Sequence, residues 1–406
     1  MPLTVLTDSD VRTLLLSLNR ADVLDLQHNL AEALHQYSTG TNDNGCCSVH
    51  QPQRISISKN GQTTLFMPAT TGTSTGMKVI TLSDPPPTPT SSASSALTDN
   101  TPTPSPSLAS SQSTTPRGSL TLLDGAGSPI GLINAEELTA FRTALAASII
   151  LHRRTHVHTL TVFGAGKQAF WHIRIALLLR GHDIKHVNII NRSFARARSL
   201  MQEFYSVDHD ELRSDPKFSI LSSDFGEYQR LLKESVRKAD VILCCTPAVE
   251  PLFPAEYLTA TEGRRKGRYV SAIGSYKPHM CELHPDVLRQ AVASVQHAHH
   301  HHKHAASEGV VVVDSLTACL KEAGEIIQAG LTPEQLVEVG ELLMVKKAAL
   351  KEVERGGEGE KGLRDWIERG NVIYKSVGLG LMDVCVGEDV CRLARERGIG
   401  TVIEGF

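Results

Sequence analysis

The tightest constraint in this chain is a six-residue turn. Leu160-Thr161-Val162-Phe163 reads as a short apolar strand that runs straight into Gly164-Ala165-Gly166-Lys167-Gln168-Ala169, and a helical pattern follows from about Gln168 to Arg180. Strand, glycine loop and helix in that order make the phosphate-binding turn of a dinucleotide fold. Gly164 permits the sharp turn and Gly166 lets the backbone approach a pyrophosphate. Ala169, in place of a third glycine, lets helix and strand pack closely, while the helix N-terminus faces the phosphates. Without a ligand, the same residues would be only a tight strand–helix connection. Further strands at Val187–Ile190, Phe218–Leu221, Val241–Cys244, Tyr269–Ile273 and Val310–Val313 alternate with helical segments. That alternation predicts an α/β Rossmann fold with a doubly wound parallel sheet.

The cofactor preference is read at the end of the second strand, about 20 residues past the loop, where an NAD site usually carries Asp or Glu. Here the strand ends in Ile190-Asn191-Arg192-Ser193, with no carboxylate. Arg192 can pair with a ribose 2′-phosphate and Ser193 can donate to it. NADP(H) is therefore the preferred cofactor, with NAD(H) possible. The plain alternative is that Arg192 is a solvated surface charge.

At 406 residues the chain exceeds one ordinary core and predicts two domains. Val23, Leu26, Leu30, Leu34 and Tyr37 repeat at helical spacing, and Arg54–Ser58 and Thr63–Met67 flank Asn60-Gly61 as a β-hairpin. Strands over Lys78–Leu82, Ser119–Leu123 and Ser128–Ile133 complete an α+β unit, and a helix capped by Asn134 runs to about Leu151. Beyond about Ala318 the sequence reads as mostly helical, with a glycine- and charge-rich loop near Arg355 to Gly362. Two tracts stand apart. Residues 84–118 are almost entirely Pro, Ser and Thr and read as a disordered insertion. Residues 296–305 form a His-rich loop, read as a surface expansion.

Composition excludes several classes. A 41% apolar and 21% charged content is that of a globular protein. A net charge of -3 offers no basic excess for nucleic acid or an anionic membrane. No apolar run approaches the roughly 20 residues needed to span a bilayer, and Met1-Pro2-Leu3-Thr4 does not open like a secretory leader. The eight cysteines include no C-x-x-C pair or zinc-like spacing, so a reducing, cytoplasmic setting is expected. His152, His156 and His158 read as surface residues, and no metal site is expected.

Several segments taken together resemble the ornithine cyclodeaminase/mu-crystallin family, in family order. They are Arg54 with Phe66-Met67-Pro68-Ala69, Met77-Lys78-Val79, Glu137 to Ala144, the glycine loop, Ala239 to Ile242 with Thr246-Pro247, Ala272 to Pro278, Val313-Asp314-Ser315 with Lys321 to Glu325, and Lys375 to Gly378. The resemblance implies a Rossmann domain at 153–325 inserted in a discontinuous α+β substrate-binding and dimerisation domain formed by 1–152 plus 326–406. It implies a homodimer, a cleft between the domains, Thr246-Pro247 beside the cofactor, and a small amino or imino acid as substrate. Two arginines and a lysine hold the substrate carboxylate in the family, and the matching positions are Arg54, Arg142 and Lys78. The chemistry stands without the family: an arginine fork binds a carboxylate in bidentate fashion, and Lys78 can donate a proton or hydrogen bond. Outside that context each would be an ordinary surface cation.

The resemblance leaves two chemistries open. One is NAD(P)H-dependent reduction of a cyclic ketimine, such as Δ1-pyrroline-2-carboxylate or Δ1-piperideine-2-carboxylate. The other is ornithine cyclodeamination, whose enzymes carry an Asp where this chain has Tyr276. A phenol, with an ordinary pKa of about 10, cannot pair with an amine as a carboxylate would, so the reductase is favoured. An alanine-dehydrogenase-like oxidoreductase and a non-catalytic, crystallin-like NADPH-binding protein are the alternatives. Asp314-Ser315, Lys321-Glu322 and Asp383 match family positions but read equally well as a strand-end cap and helix-surface charges. Ser376 has no partners at a recognisable spacing and is not read as a nucleophile.

Overall fold

A computed structural model describes residues 2–40, 51–83, 116–206, 215–264, 266–293, 310–342 and 358–406. The strands of the first half are β1 (Leu3–Leu6), β2 (Ile55–Lys59), β3 (Gln62–Thr70), β4 (Thr75–Ser83), β5 (Arg117–Leu123), β6 (Pro129–Asn134), β7 (Thr159–Phe163) and β8 (His186–Ile190). Those of the second half are β9 (Lys217–Leu221), β10 (Val241–Cys244), β11 (Tyr269–Ala272), β12 (Val311–Val313), β13 (Leu336–Glu338), β14 (Val372–Lys375) and β15 (Thr401–Ile403). They form two sheets.

The first sheet runs β15-β1-β6-β5-β4-β3-β2, antiparallel except where β1 pairs with β6. Its β2–β3 hairpin turns at Asn60 (φ 54) and Gly61 (φ 70), the left-handed pair that a two-residue hairpin requires. Inward-facing Leu65, Met67, Lys78, Ile80 and Leu82 alternate with outward residues on β3 and β4, the two-residue period of a half-buried sheet. The second sheet runs β13-β12-β14-β11-β10-β7-β8-β9, with every pair parallel. Its order reverses between β7 and β10, the point at which open α/β sheets leave a crevice for ligands.

Five helices position the site: α1 (Asp8–Leu16), α2 (Arg20–Thr39), α3 (Ala135–Leu151), α4 (Lys167–Arg180) and α5 (Phe194–Ser206). Asn134 caps α3, as its sequence predicts, accepting from Glu136 N at 2.9 Å. Almost every residue of α3 is buried, because the helix is wedged between the first sheet, α1, α2, α4 and the C-terminal helix Gly380–Arg397. A helix apolar all round is one that is covered all round. One hydrophobic core consequently runs through both units, from Leu14 and Leu30 across α3 to Trp171, Val162 and Val241.

The structure departs from the sequence reading in several places. β1 and α1, not read as elements, begin the first unit, with Thr7 capping α1. The parallel sheet does not end near residue 325: β13 joins its edge and β14 enters its middle, between β11 and β12. Val372-Ile373-Tyr374-Lys375 is a short apolar run, which periodicity cannot tell from a buried helical stretch. The Pro/Ser/Thr tract gives way to β5 by Arg117, and Glu358–Arg369 is a helix that overlaps the loop expected near Arg355 to Gly362. Residues 84–115 and the 296–305 tract lie outside the described residues.

Trp171 measures how far the two units share a core. Fully buried on α4, it meets Phe141 of α3 edge-on at 5.3 Å and donates to Glu137 Oε2 at 2.6 Å. Trp171→Ala should lower the unfolding free energy by about 3–5 kcal/mol in a urea titration, the usual cost of truncating a buried large aromatic. A loss below about 1 kcal/mol would show that the units do not depend on this contact.

Candidate functional site

A cleft of about 1600 Å³ opens between the two sheets. The glycine loop forms one wall. Gly164 has φ +108, and a Cβ there would stand 2.8 Å from Cys245 O, so the turn lies backbone to backbone against the β10 loop. Gly166 is the N-cap of α4 with no side-chain cap bond, and a Cβ there would meet nothing within 4 Å. The first N–H groups of α4 are left without a side-chain cap at the cleft wall, an anion-binding arrangement. Ala169 lies fully buried beneath the loop. Gly164, Ala165, Gly166, Lys167 and Gln168 line the cleft, as do Asn191 and Arg192 at the end of β8 and Thr246 and Pro247 after β10.

Two members of the expected cofactor set make other contacts as well. Ser193 is not in the cleft lining, and its Oγ accepts from Arg196 N at 3.3 Å. Lys167 reaches across to the first unit, where Asp8 (2.8 Å), Glu136 (3.4 Å) and Glu137 (3.0 Å) surround its ammonium. Burial lowers its pKa, but Asp8 and Glu137 outweigh that and the net shift is upward. Arg196, one helical turn past Arg192 and also in the lining, is a cation that the sequence reading passed over.

The three cations of the opposite wall come from separate segments. Arg54 precedes β2, Lys78 faces inward from the middle of β4, and Arg142 faces the cleft from α3. Lys78 is fully buried and Arg142 is 4% exposed. Both turn to one carboxylate: Asp383 Oδ1 accepts from Lys78 Nζ at 2.8 Å and from Arg142 Nε at 3.1 Å. Burial pushes the Lys78 pKa down to about 8; Asp383 opposes the shift and Arg142 adds to it. Asp383 is thus no helix-surface charge but the buried counter-ion of the site.

Arg142 also donates to Met382 Sδ at 3.2 Å, and its guanidinium lies against Gly378 (φ +88), where a Cβ would stand 2.8 Å from Nη2. Asp314, likewise buried, holds that turn by accepting from Ser376 Oγ (2.6 Å), Val377 N (3.1 Å) and Gly378 N (2.7 Å). Ser376 acts here as a donor that anchors the turn to Asp314. Arg54 pairs with Glu322, its Nε 2.8 Å from Oε1, and burial lowers its pKa. Glu322 is therefore a cleft partner rather than a free surface charge.

Beside Lys78 the wall is apolar. Leu65, Met67, Ile80 and Leu82 form a small cluster against which Tyr276 packs, and all five line the cleft. Among the described residues no group of three or more His, Cys, Asp or Glu side chains could hold a metal ion, and no helix is long and apolar enough to cross a membrane.

Residues 105–395 match the ornithine cyclodeaminase/mu-crystallin family. The chain belongs to that family. An uncharacterized protein of Saccharomyces cerevisiae is 31% identical over 66% of this chain and 71% of its own length. A Delta(1)-pyrroline-2-carboxylate reductase of Bacillus cereus is 27% identical over 69% and 71%. A ketimine reductase mu-crystallin of Macropus fuliginosus is 27% identical over 68% and 69%. Two solved structures share the fold at 18% identity. An archaeal alanine dehydrogenase dimer with bound NAD superimposes with TM-score 0.67 over all of both chains. The Thermococcus litoralis Delta(1)-pyrroline-2-carboxylate reductase with NADH and L-proline does so with TM-score 0.66 over 98% of this chain and 99% of that one.

Lys78 yields a prediction independent of any ligand. Its pKa in the folded protein, about 8, lies below its ordinary 10.5, so between these values the unfolded chain binds more protons than the folded one. This residue's contribution to stability must therefore rise with pH across that window. Unfolding free energies measured from pH 8 to 10.5 should show a rise in the wild type relative to Lys78→Met. Parallel pH profiles would mean that Lys78 is not desolvated as described.

Proposed function

We propose that this protein is an NAD(P)H-dependent oxidoreductase that reduces the C=N bond of a small cyclic imino acid of the Δ1-pyrroline-2-carboxylate or Δ1-piperideine-2-carboxylate type. The observation that carries the reading is the meeting of Arg54, Lys78 and Arg142 with an apolar wall, in the same cleft as an uncapped glycine-loop helix. The two arginines suit the substrate carboxylate, which would draw Arg54 away from Glu322. The apolar wall suits ring methylenes. A reduced nicotinamide, held by the glycine-loop wall, would supply the hydride for the imine carbon. Lys78, with a pKa of about 8, remains largely protonated near neutral pH and can give a proton to the ring nitrogen as the C=N pair becomes C–N and N–H. Holding the carboxylate fixes the imine carbon toward the dinucleotide wall, so orientation is part of the rate enhancement.

Tyr276 supports reduction over cyclodeamination, because the apolar wall presents a phenol where a second substrate amine would need a carboxylate. Arg192 supports NADPH over NADH, with Arg196 beside it as a second partner for a 2′-phosphate. The domain reading survives as a proposal with a changed border, in which β13 and β14 belong to the dinucleotide unit. A cytoplasmic setting agrees with the six described cysteines all being unpaired. The protein should also act as a homodimer, like the archaeal neighbour. The outer face of the first sheet exposes Ile55, Ile57, Met77 and Leu132, and a second copy would cover this apolar surface.

Two measurements test this. Purified protein mixed with NADPH and either ketimine should oxidise the nicotinamide, and Arg192→Asp should shift the preference toward NADH. No oxidation, together with ammonia release from ornithine, would replace the reductase by the cyclodeaminase; tight NADPH binding with neither reaction would favour a binding protein. For the assembly, sedimentation should give a dimer for the wild type and a monomer for Ile57→Lys. An unchanged dimer in the variant would move the interface elsewhere.

A further inference from the structure

Glu282 is absent from the cleft lining and fully buried, yet its carboxylate gathers two loops that form part of the cleft. Oε1 accepts from Thr246 N at 2.7 Å and Thr246 Oγ1 at 3.1 Å, after β10; Oε2 accepts from Gly274 N at 2.6 Å, after β11. The backbone beside it grips the first loop twice more. Cys281 N donates to Ala248 O, and Leu252 N donates to Glu282 O, both at 2.9 Å. The two loops are themselves in contact, since a Cβ on Gly274 would stand 2.0 Å from Thr246 O.

The carboxylate is held from behind by a second buried one. Glu325 Oε1 accepts from Glu282 N at 2.7 Å and from the Ser275 hydroxyl, while Lys375 lies 3.3 Å from Glu325 Oε2 and donates to Ser275 O at 2.6 Å. Two carboxylates beside one ammonium, all nearly without solvent, are a costly way to build a core. Burial, together with Glu325, pushes Glu282 up to about 7, although Lys375 and the two backbone donors pull it back. Removing any one member would leave an uncompensated buried charge, so the cluster ties the two loops to Lys375 and Glu325.

The sheet order says which part of a dinucleotide these loops serve. The adenosine ribose belongs at the end of β8, beside Arg192, so the nicotinamide half falls on the β10 and β11 side of the switch point. We propose that Glu282 is a positioning residue for the nicotinamide end: it sets the depth of the Thr246 and Gly274 loops, and of Tyr276 two residues on, relative to Lys78 and Arg142 across the cleft. The inference rests on the dinucleotide reading above. Its geometric demand is two-sided. Aspartate is a methylene shorter and cannot span both loops, while glutamine must turn an NH2 group toward a donor.

Glu282→Asp and Glu282→Gln test it through a split that a general loss of stability would not produce. Each variant is compared with wild type for affinity toward the 2′-phosphate of ADP-ribose, which lacks the nicotinamide, and for kcat and KM in ketimine reduction. Fragment affinity should stay within about twofold while kcat falls between about ten- and a hundredfold, the cost of misplacing a reacting group. Parallel loss of fragment affinity, an unchanged kcat, or failure of both variants to fold would overturn the assignment, the last by showing that the carboxylate serves the fold as a whole. If the wild type neither binds the fragment nor oxidises NADPH, the dinucleotide reading fails first, and that is seen before any variant is compared.

Discussion

Lys78, Arg142 and Asp383 come from three distant stretches of chain and meet where water scarcely reaches. Taking a single charge out of water costs several kcal/mol even after the protein relaxes, so neither cation could remain charged there without a partner. Asp383 answers both with one oxygen. For that to happen, the C-terminal helix Gly380–Arg397 must lie against β4 and α3, and it packs on both. The same docking brings Met382 to Arg142 and leads the chain through the Ser376–Gly378 turn, which Asp314 holds beneath the guanidinium. One carboxylate shared by two cations, which offsets one of their two charges, thus closes the first unit and assembles one wall of the cleft.

The other wall is made differently. The glycine loop needs no side-chain charge, because uncapped helix N–H groups already favour an anion. Its lysine is spent on joining the units, lying among Asp8, Glu136 and Glu137, while Glu137 also takes the Trp171 N–H. The two walls therefore stand on α3 and α4, which share one core. A cleft between elements packed in this way keeps its width, and a reaction that needs two groups at a set separation benefits from that.

Much of this was written in local pattern. The Asn60-Gly61 turn, the Asn134 cap and the Gly164–Ala169 loop each depend on residues a few positions apart, and each forms where the sequence says it should. Arg54 and Lys78 were legible only through the family resemblance, whereas Arg142 also carried a local sign, since it sits in a mainly apolar helical run where a charge needs a partner. Strand β14 was not legible, because four apolar residues without a turn signal have no distinguishing period. Glu322, Asp383 and Glu282 were missed or read as surface charges for a related reason: a carboxylate's role depends on what it faces, and their partners lie 268, 305 and as few as eight residues away, on other elements.

The sequence by itself determined the dinucleotide turn, the parallel sheet around it and the family, because strand, loop and helix are short-range consequences of residue type and spacing. Only the tertiary structure decided which charges would be neutralised by which, where the parallel sheet ends, and that Lys167 serves the junction between units rather than the cleft alone. Those outcomes follow from desolvation and close packing, which act on whatever the fold brings together, however far apart it lies in the chain.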